Sequence, residues 1–244
     1  IWVVMPLPKI ATPTYELELP STGKKIKYRP FLVKEEKILI IAMESEDQKE
    51  ITNALKTVIG NCILTRGVKV DTLSTFDIEY LFLNIRGKSV GETVEVLITC
   101  PDDGETQVPV VIPLDEIKVK KDKKHSRDIK LDDNLTMRLR YPSLSEFIKS
   151  NFVSDSGNAG VNESFDLISS CIDQVYNEEE SWSGTDCSKK ELLDFIEQLT
   201  SQQFKEIETF FETMPKLSHD VKVMNPNTKV ESDVVLEGLS SFFS

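Results

Sequence analysis

Histidine is almost absent from this chain of 244 residues: His125 and His219 are the only two. A Ser-His-Asp or Cys-His arrangement would have to recruit one of them. His125 lies in a charged connector and His219 follows the break at Pro215, so catalysis of that type is not expected. The phosphate-cradling G-x-x-x-x-G-K-[ST] loop, the G-x-G-x-x-G turn and the H-E-x-x-H helix are also missing. No Glu stands in a context that marks it as the carboxylate of a hydrolase such as a peptidoglycan-cleaving enzyme. The four cysteines, Cys62, Cys100, Cys171 and Cys187, contain no C-x-x-C pair and are too few for a disulfide framework. Reduced, mostly buried thiols are expected. No window approaches the roughly 20 apolar residues of a membrane span. Basic charge is in deficit as well, with 29 Lys and Arg against 41 Asp and Glu, a net charge of −12. That balance opposes nucleic-acid binding, whose affinity comes from neutralising phosphates, and suits solubility or a basic partner. Neither a cofactor nor a catalytic residue is expected.

What remains is an ordinary globular balance, 39% hydrophobic and 29% charged, in a chain long enough for one large or two modest domains. Pro6, Pro8 and Pro13 make residues 1–14 an extended arm. Met5-Pro6-Leu7-Pro8 reads as a translation start, with residues 1–4 as an upstream extension. Residues 15–19 and 24–28 alternate apolar and polar about Pro20-Ser21-Thr22-Gly23, which predicts a β-hairpin. Three amphipathic helices follow: about 34–45, one capped by Asp47 with Glu50, and one from Ser74 ending at Gly87. Strands are expected at 93–99 and 108–112, around the turn Cys100-Pro101-Asp102-Asp103-Gly104, and again around Asp132-Asp133-Asn134. The run Lys118 to Lys124 reads as an exposed connector.

Ser154 to Gly160 has linker composition. It divides the chain into a lobe at 15–153 and a helical lobe at 161–244 that ends in a hairpin. Phe165, Ile168, Ile172 and Val175 are spaced as one helix, and Glu178 to Thr185 as an acidic loop. Ser188 with Glu191, and Thr200 with Gln203, open two more helices. The class is α+β, with β-hairpins combined with short amphipathic helices.

Two distant hairpins align without a gap: Val96-Leu97-Ile98-Thr99-Cys100-Pro101 with Val221-Lys222-Val223-Met224-Asn225-Pro226. Val110 then matches Val235, and Leu114 matches Leu239. Duplication of one unit would produce two related helix-plus-hairpin lobes; shared turn chemistry is the simpler alternative. The turn at Cys100 resembles a zinc knuckle, C-P-x-C-G, in which the second thiolate position is Asp103. In the matching turn the two thiolate positions are Asn225 and Thr228. One thiolate cannot build a structural zinc site, so no metal is expected at Cys100, Asp103, Asn225 and Thr228. The cluster Asp102, Asp103 and Glu105 reads as a solvated turn, not a cation loop.

Several segments together resemble the baseplate hub family of T-even-type contractile-tailed phages. They are Met5-Pro6-Leu7-Pro8-Lys9-Ile10 with Pro13-Thr14-Tyr15, then Tyr28-Arg29-Pro30-Phe31-Leu32-Val33-Lys34-Glu35-Glu36-Lys37, then Thr75 to Arg86. The closing Leu236-Glu237-Gly238-Leu239-Ser240-Ser241-Phe242-Phe243 is similar too. Some members of the family carry cysteine-paired turns, and this chain departs from them at Asp103, Asn225 and Thr228.

The resemblance implies a non-enzymatic hub component or hub assembly factor working by protein–protein docking. Its partners would be other baseplate and tail proteins, and its place the host cytoplasm during assembly and then the virion tail. An alternative is a chaperone of tail assembly, acting on the tape-measure protein and absent from the virion. A degenerate zinc-ribbon nucleic-acid adaptor ranks lower. Candidate docking residues are Pro6, Leu7, Pro8 and Ile10 in the arm, and Leu239, Phe242 and Phe243 at the far end, where an apolar anchor suits an interface. A free edge of the first hairpin, guarded by Lys24, Lys25 and Lys27, is a third candidate.

Overall fold

A computed structural model describes residues 10–146, 160–238 and 241. The fold is α+β: small antiparallel sheets and helices around three cores.

The first core forms under the hairpin of β1 (Tyr15–Glu18) and β2 (Lys25–Tyr28). Alternation sends Leu17, Ile26 and Tyr28 inward. Helices α1 (Val33–Glu44), α2 (Gln48–Cys62) and α3 (Thr75–Ser89) close over them. Asp47 caps α2, its carboxylate accepting from the Lys49 and Glu50 N–H groups, and Ser74 accepts from the Asp77 N–H at the start of α3. Gly87 does not end α3, which continues to Ser89. A Cβ there would meet Leu114 Cδ1 at 3.1 Å, so the glycine permits a close approach inside the helix.

The second core lies between two long hairpins. One joins β3 (Thr93–Thr99) to β4 (Gln107–Pro113); the other joins β10 (Lys216–Met224) to β11 (Glu231–Glu237). Val94, Val96, Ile98 and Ile112 meet Leu217, Val221 and Val223, with Leu83 of α3 beside them. The lysine run is only partly a connector. Lys118–Lys120 forms β5 on the edge of β10, with Leu217 opposite Val119. Alternation explains this: Val119 packs on the core while Lys118 and Lys120 point to solvent.

The third core sits under a four-stranded sheet in the order β6-β7-β8-β9. Its strands are β6 (Asp128–Lys130), β7 (Thr136–Leu139), β8 (Ile172–Tyr176) and β9 (Ser181–Ser183). Helices α4 (Gly160–Cys171), α5 (Lys189–Glu197) and α6 (Ser201–Thr213) complete it. The expected helix through Val175 stops at Cys171. The register shifts opposite Arg138 and Leu139, leaving Asp173 without a partner on β7. That bulge turns Ile172 and Val175 to one face, so three-residue spacing imitates a helix. β9 likewise occupies part of the expected acidic loop. The sheet draws on both sides of the 154–160 stretch.

One structural unit recurs. Each half opens on a hairpin whose second strand runs into an arginine, Arg29 or Arg140. The backbone N–H of Arg29 donates to Cys62 O at 2.9 Å, and that of Arg140 to Cys171 O at 2.8 Å. The preceding residues pair alike, Tyr28 with Ile63 and Leu139 with Ile172. The guanidinium of Arg29 clasps Glu35 at 3.0 and 3.3 Å, and that of Arg140 clasps Glu146 at 2.7 and 3.0 Å. Both arginines also donate to the next carbonyl, and both glutamates accept a backbone N–H three residues back, from Leu32 at 2.9 Å and Ser143 at 2.8 Å. A hydroxyl-capped helix and a long hairpin end each half.

Candidate functional site

The turns of the two long hairpins meet, and their backbones begin alike, the second turn closing one residue sooner. Cys100 N–H donates to Thr106 O, and Gly104 N–H to Cys100 O; Asn225 N–H donates to Val230 O, and Lys229 N–H to Asn225 O. The left-handed residue falls at the same place in both, Gly104 with φ +69° and Lys229 with φ +62°. Lys229 is a non-glycine residue held there, where a Cβ costs conformational energy.

The two knuckle-like turns therefore face one another, and Asn225 and Thr228 of one bond to Asp102 and Asp103 of the other. Asn225, fully buried, donates from Nδ2 to both Asp102 oxygens at 3.1 Å and to Asp103 Oδ2 at 2.8 Å. Its own Oδ1 accepts from the Asn227 and Thr228 N–H groups at 2.9 and 3.3 Å. Thr228 donates its hydroxyl to Asp102, and Asn227 Nδ2 reaches Thr106 Oγ1 at 3.1 Å. Asp103 accepts from the Thr106 hydroxyl and from the backbone N–H groups of Glu105 and Thr106, both at 3.0 Å.

These bonds set the protonation states. The Thr106 hydroxyl first, then the two backbone groups and Asn225, hold the Asp103 carboxyl far below the usual carboxylate range. Thr228 and Asn225 do the same, less strongly, for Asp102. Burial and the two adjacent carboxylates push the Cys100 thiol up, keeping it protonated. Among the described residues no group of three or more His, Cys, Asp and Glu side chains is placed to hold a metal ion. The arrangement fastens two hairpins; a protonated thiol and two satisfied carboxylates have little left to offer a ligand.

The remaining candidates are scattered. Ile10 is 93% exposed. Pro6, Leu7, Pro8, Leu239, Phe242 and Phe243 lie outside the described residues. His125 stacks with Tyr141 and tilts against Phe210, its ring nitrogens 3.0 Å from Thr213 Oγ1 and Tyr141 Oη. Burial first, and then Lys121, hold its pKa down, so it is a neutral packing residue near pH 7. His219 lies 3.8 Å from Glu116. Cys62 and Cys171 are buried beside the two arginine clasps, with burial raising their thiols to about 11 and about 12.

Two apolar surfaces escaped the sequence reading. Leu97 and Val111, 64% and 62% exposed, are diagonal neighbours on the outer face of β3 and β4, beside exposed Pro109. Alternation shows which residues leave the core, so exposed Leu97 and Val111 were detectable as apolar residues in the polar phase of strands 93–99 and 107–113. The second surface is the outer side of α1, where Val33, Ile40, Ile41 and Met43 are exposed. Apolar residues on both sides of one helix were its signal. No helix among the described residues is long and apolar enough to cross a membrane.

A family model described as T4 bacteriophage base plate protein covers residues 12–244. No curated protein and no solved structure matches the chain.

Proposed function

Because the chain belongs to the T4 bacteriophage base plate protein family, we propose that it works without catalysis, as a component or assembly factor of the baseplate hub, by docking to other tail proteins. The observation that carries the docking reading is the apolar patch Leu97, Pro109 and Val111. The inner face of that hairpin already packs against β10 and β11, so the patch is surplus to the core. Single exposed apolar residues are ordinary; adjacent ones on a rigid sheet suit an interface. The acidic balance of the whole chain favours neighbours with basic surfaces. Assembly would take place in the host cytoplasm, with the finished tail as destination.

Substituting Leu97→Asp and Val111→Asp together tests this. Both side chains are exposed, so the fold should survive while incorporation into baseplates, read by complementation of a defective phage, falls sharply. Normal assembly by the variant would reject the patch. Mass spectrometry of purified tails beside infected-cell lysate separates the two versions. A fixed ratio to other hub proteins means a structural subunit. Presence in lysate alone means an assembly factor, the class to which a tape-measure chaperone belongs.

A further inference from the structure

We infer that the outer face of α1 pairs with the same helix of a second copy of this chain, antiparallel and across a two-fold axis. Helix α1 is apolar on both sides. Ile38, Leu39 and Ala42 turn toward the first core, while Val33, Ile40, Ile41 and Met43 are 80%, 51%, 54% and 62% exposed. Leu32, 40% exposed, extends the patch at the N-terminal end. This is more apolar surface than twelve helical residues normally leave in water.

The choice of a second copy rests on the charges. Val33, Lys37, Ile40 and Glu44 are spaced four, three and four residues apart, which places them in one row on the exposed side. The row carries a cation near one end and an anion near the other. Among the described residues neither the Lys37 nor the Glu44 side chain has an ion-pair or hydrogen-bond partner. A reversed copy of the row supplies what each lacks. In the register that sets Lys37 opposite Glu44 of the second copy, Ile40 lies opposite Ile41, and the two-fold makes every contact twice. Antiparallel helices 8–10 Å apart bring such side chains into contact.

The exposed charges of α1 also balance, Lys34 and Lys37 against Glu36 and Glu44. In a chain of net charge −12, two copies repel across most of their surfaces. A locally neutral, apolar face is where they can approach. A basic partner would find no electrostatic preference for it.

The test measures mass in solution by sedimentation of the full-length chain across a concentration series. Wild type should show a reversible monomer–dimer equilibrium. Lys37→Glu alone and Glu44→Lys alone should each weaken it about tenfold, since each puts like charges opposite one another twice. An equimolar mixture of those two variants should dimerise again, and so should the single chain carrying both changes. Ile40→Asp should leave monomer only. Circular dichroism of each variant checks that the exposed substitution left the fold intact. A wild type that stays monomeric overturns the proposal, as does a dimer indifferent to both charge variants. Rescue by the mixture is specific to this register. The result is independent of Leu97 and Val111, so failure here leaves the proposed docking of other tail proteins standing.

Discussion

The two arginine clasps share their connections but not their surroundings. Arg29 and Glu35 are 14% and 0% exposed, whereas Arg140 and Glu146 are 39% and 28% exposed. Burial of Glu35 raises its carboxyl, but hydrogen bonds from Arg29 and the Leu32 N–H outweigh that and bring it below its ordinary value. Glu146 shows the same balance with Arg140 and Ser143. Equal geometry does not mean equal contribution. A buried pair is weakly stabilising as a whole, yet breaking it leaves a charge with neither partner nor water; an accessible pair is forgiven by solvent.

The largest effect should separate them. Glu35→Ala leaves the guanidinium of Arg29 largely buried without a counter-charge, its bond to the Pro30 carbonyl remaining, and should cost about 3 kcal/mol in urea unfolding. Glu146→Ala should cost about 1 kcal/mol, because water reaches Arg140. Equal losses would mean that the connections, not the burial, set the stability of this motif.

The paired turns come next. Their backbones begin alike, but their side chains divide the work: one turn brings the carboxylates of Asp102 and Asp103, the other the amide of Asn225. Asn225→Ala removes donors and acceptor together from a fully buried position, and should cost about 2 kcal/mol. Thr228→Val removes a hydroxyl that donates to Asp102 and accepts from the Val230 N–H at an exposed rim, where water can replace it, and should cost less than half of that. If Thr228→Val proved the worse, the junction would depend on its rim rather than on the buried amide.

Helix starts make a finer comparison. Ser74 is buried and Thr200 exposed, and each accepts the N–H three residues on. Thr200 has in addition the reciprocal bond from its own N–H to Gln203 Oε1 at 2.7 Å. Replacement by Ala should cost about 1 kcal/mol at either site, more at Ser74, where no water replaces the lost acceptor. Thermal unfolding of the two variants would rank them.

The sequence pattern reached much of this because local signals and tertiary needs agreed. Alternation found the hairpins, and the hydroxyls at Ser74, Ser188 and Thr200 found three helix starts. The echo between Val96–Pro101 and Val221–Pro226 pointed to two turns that begin alike and adjoin in space. Its continuation from Val110 to Val235 slips by one residue, because Val221 pairs with Val234 where Val96 pairs with Val110. Failures occurred where tertiary structure broke periodicity. The bulge at Asp173 gave strand residues helical spacing, and Val119 was hidden among lysines. The clasps are not legible in the sequence because the repeat is sparse: an arginine leaving a strand and a glutamate six residues later are common residues, distinctive only once the Cys62 and Cys171 carbonyls accept from the backbone N–H groups of the two arginines.

The smallest effect concerns acid. Glu35 and Glu146 both titrate lower in the folded chain than the ordinary value of 4.5. A depressed pKa means that the folded state binds the proton less well than the unfolded one. The stabilisation is therefore complete above pH 4.5 and is lost as pH falls through the folded value. Glu35→Gln and Glu146→Gln should each lower stability at pH 7 and flatten its decline below pH 4.5. Urea titrations at pH 7 and at pH 3.5 would show the gap between wild type and each variant narrowing in acid. A gap that stays constant would assign the clasps to packing and hydrogen-bond geometry alone, with no charge involved in either half.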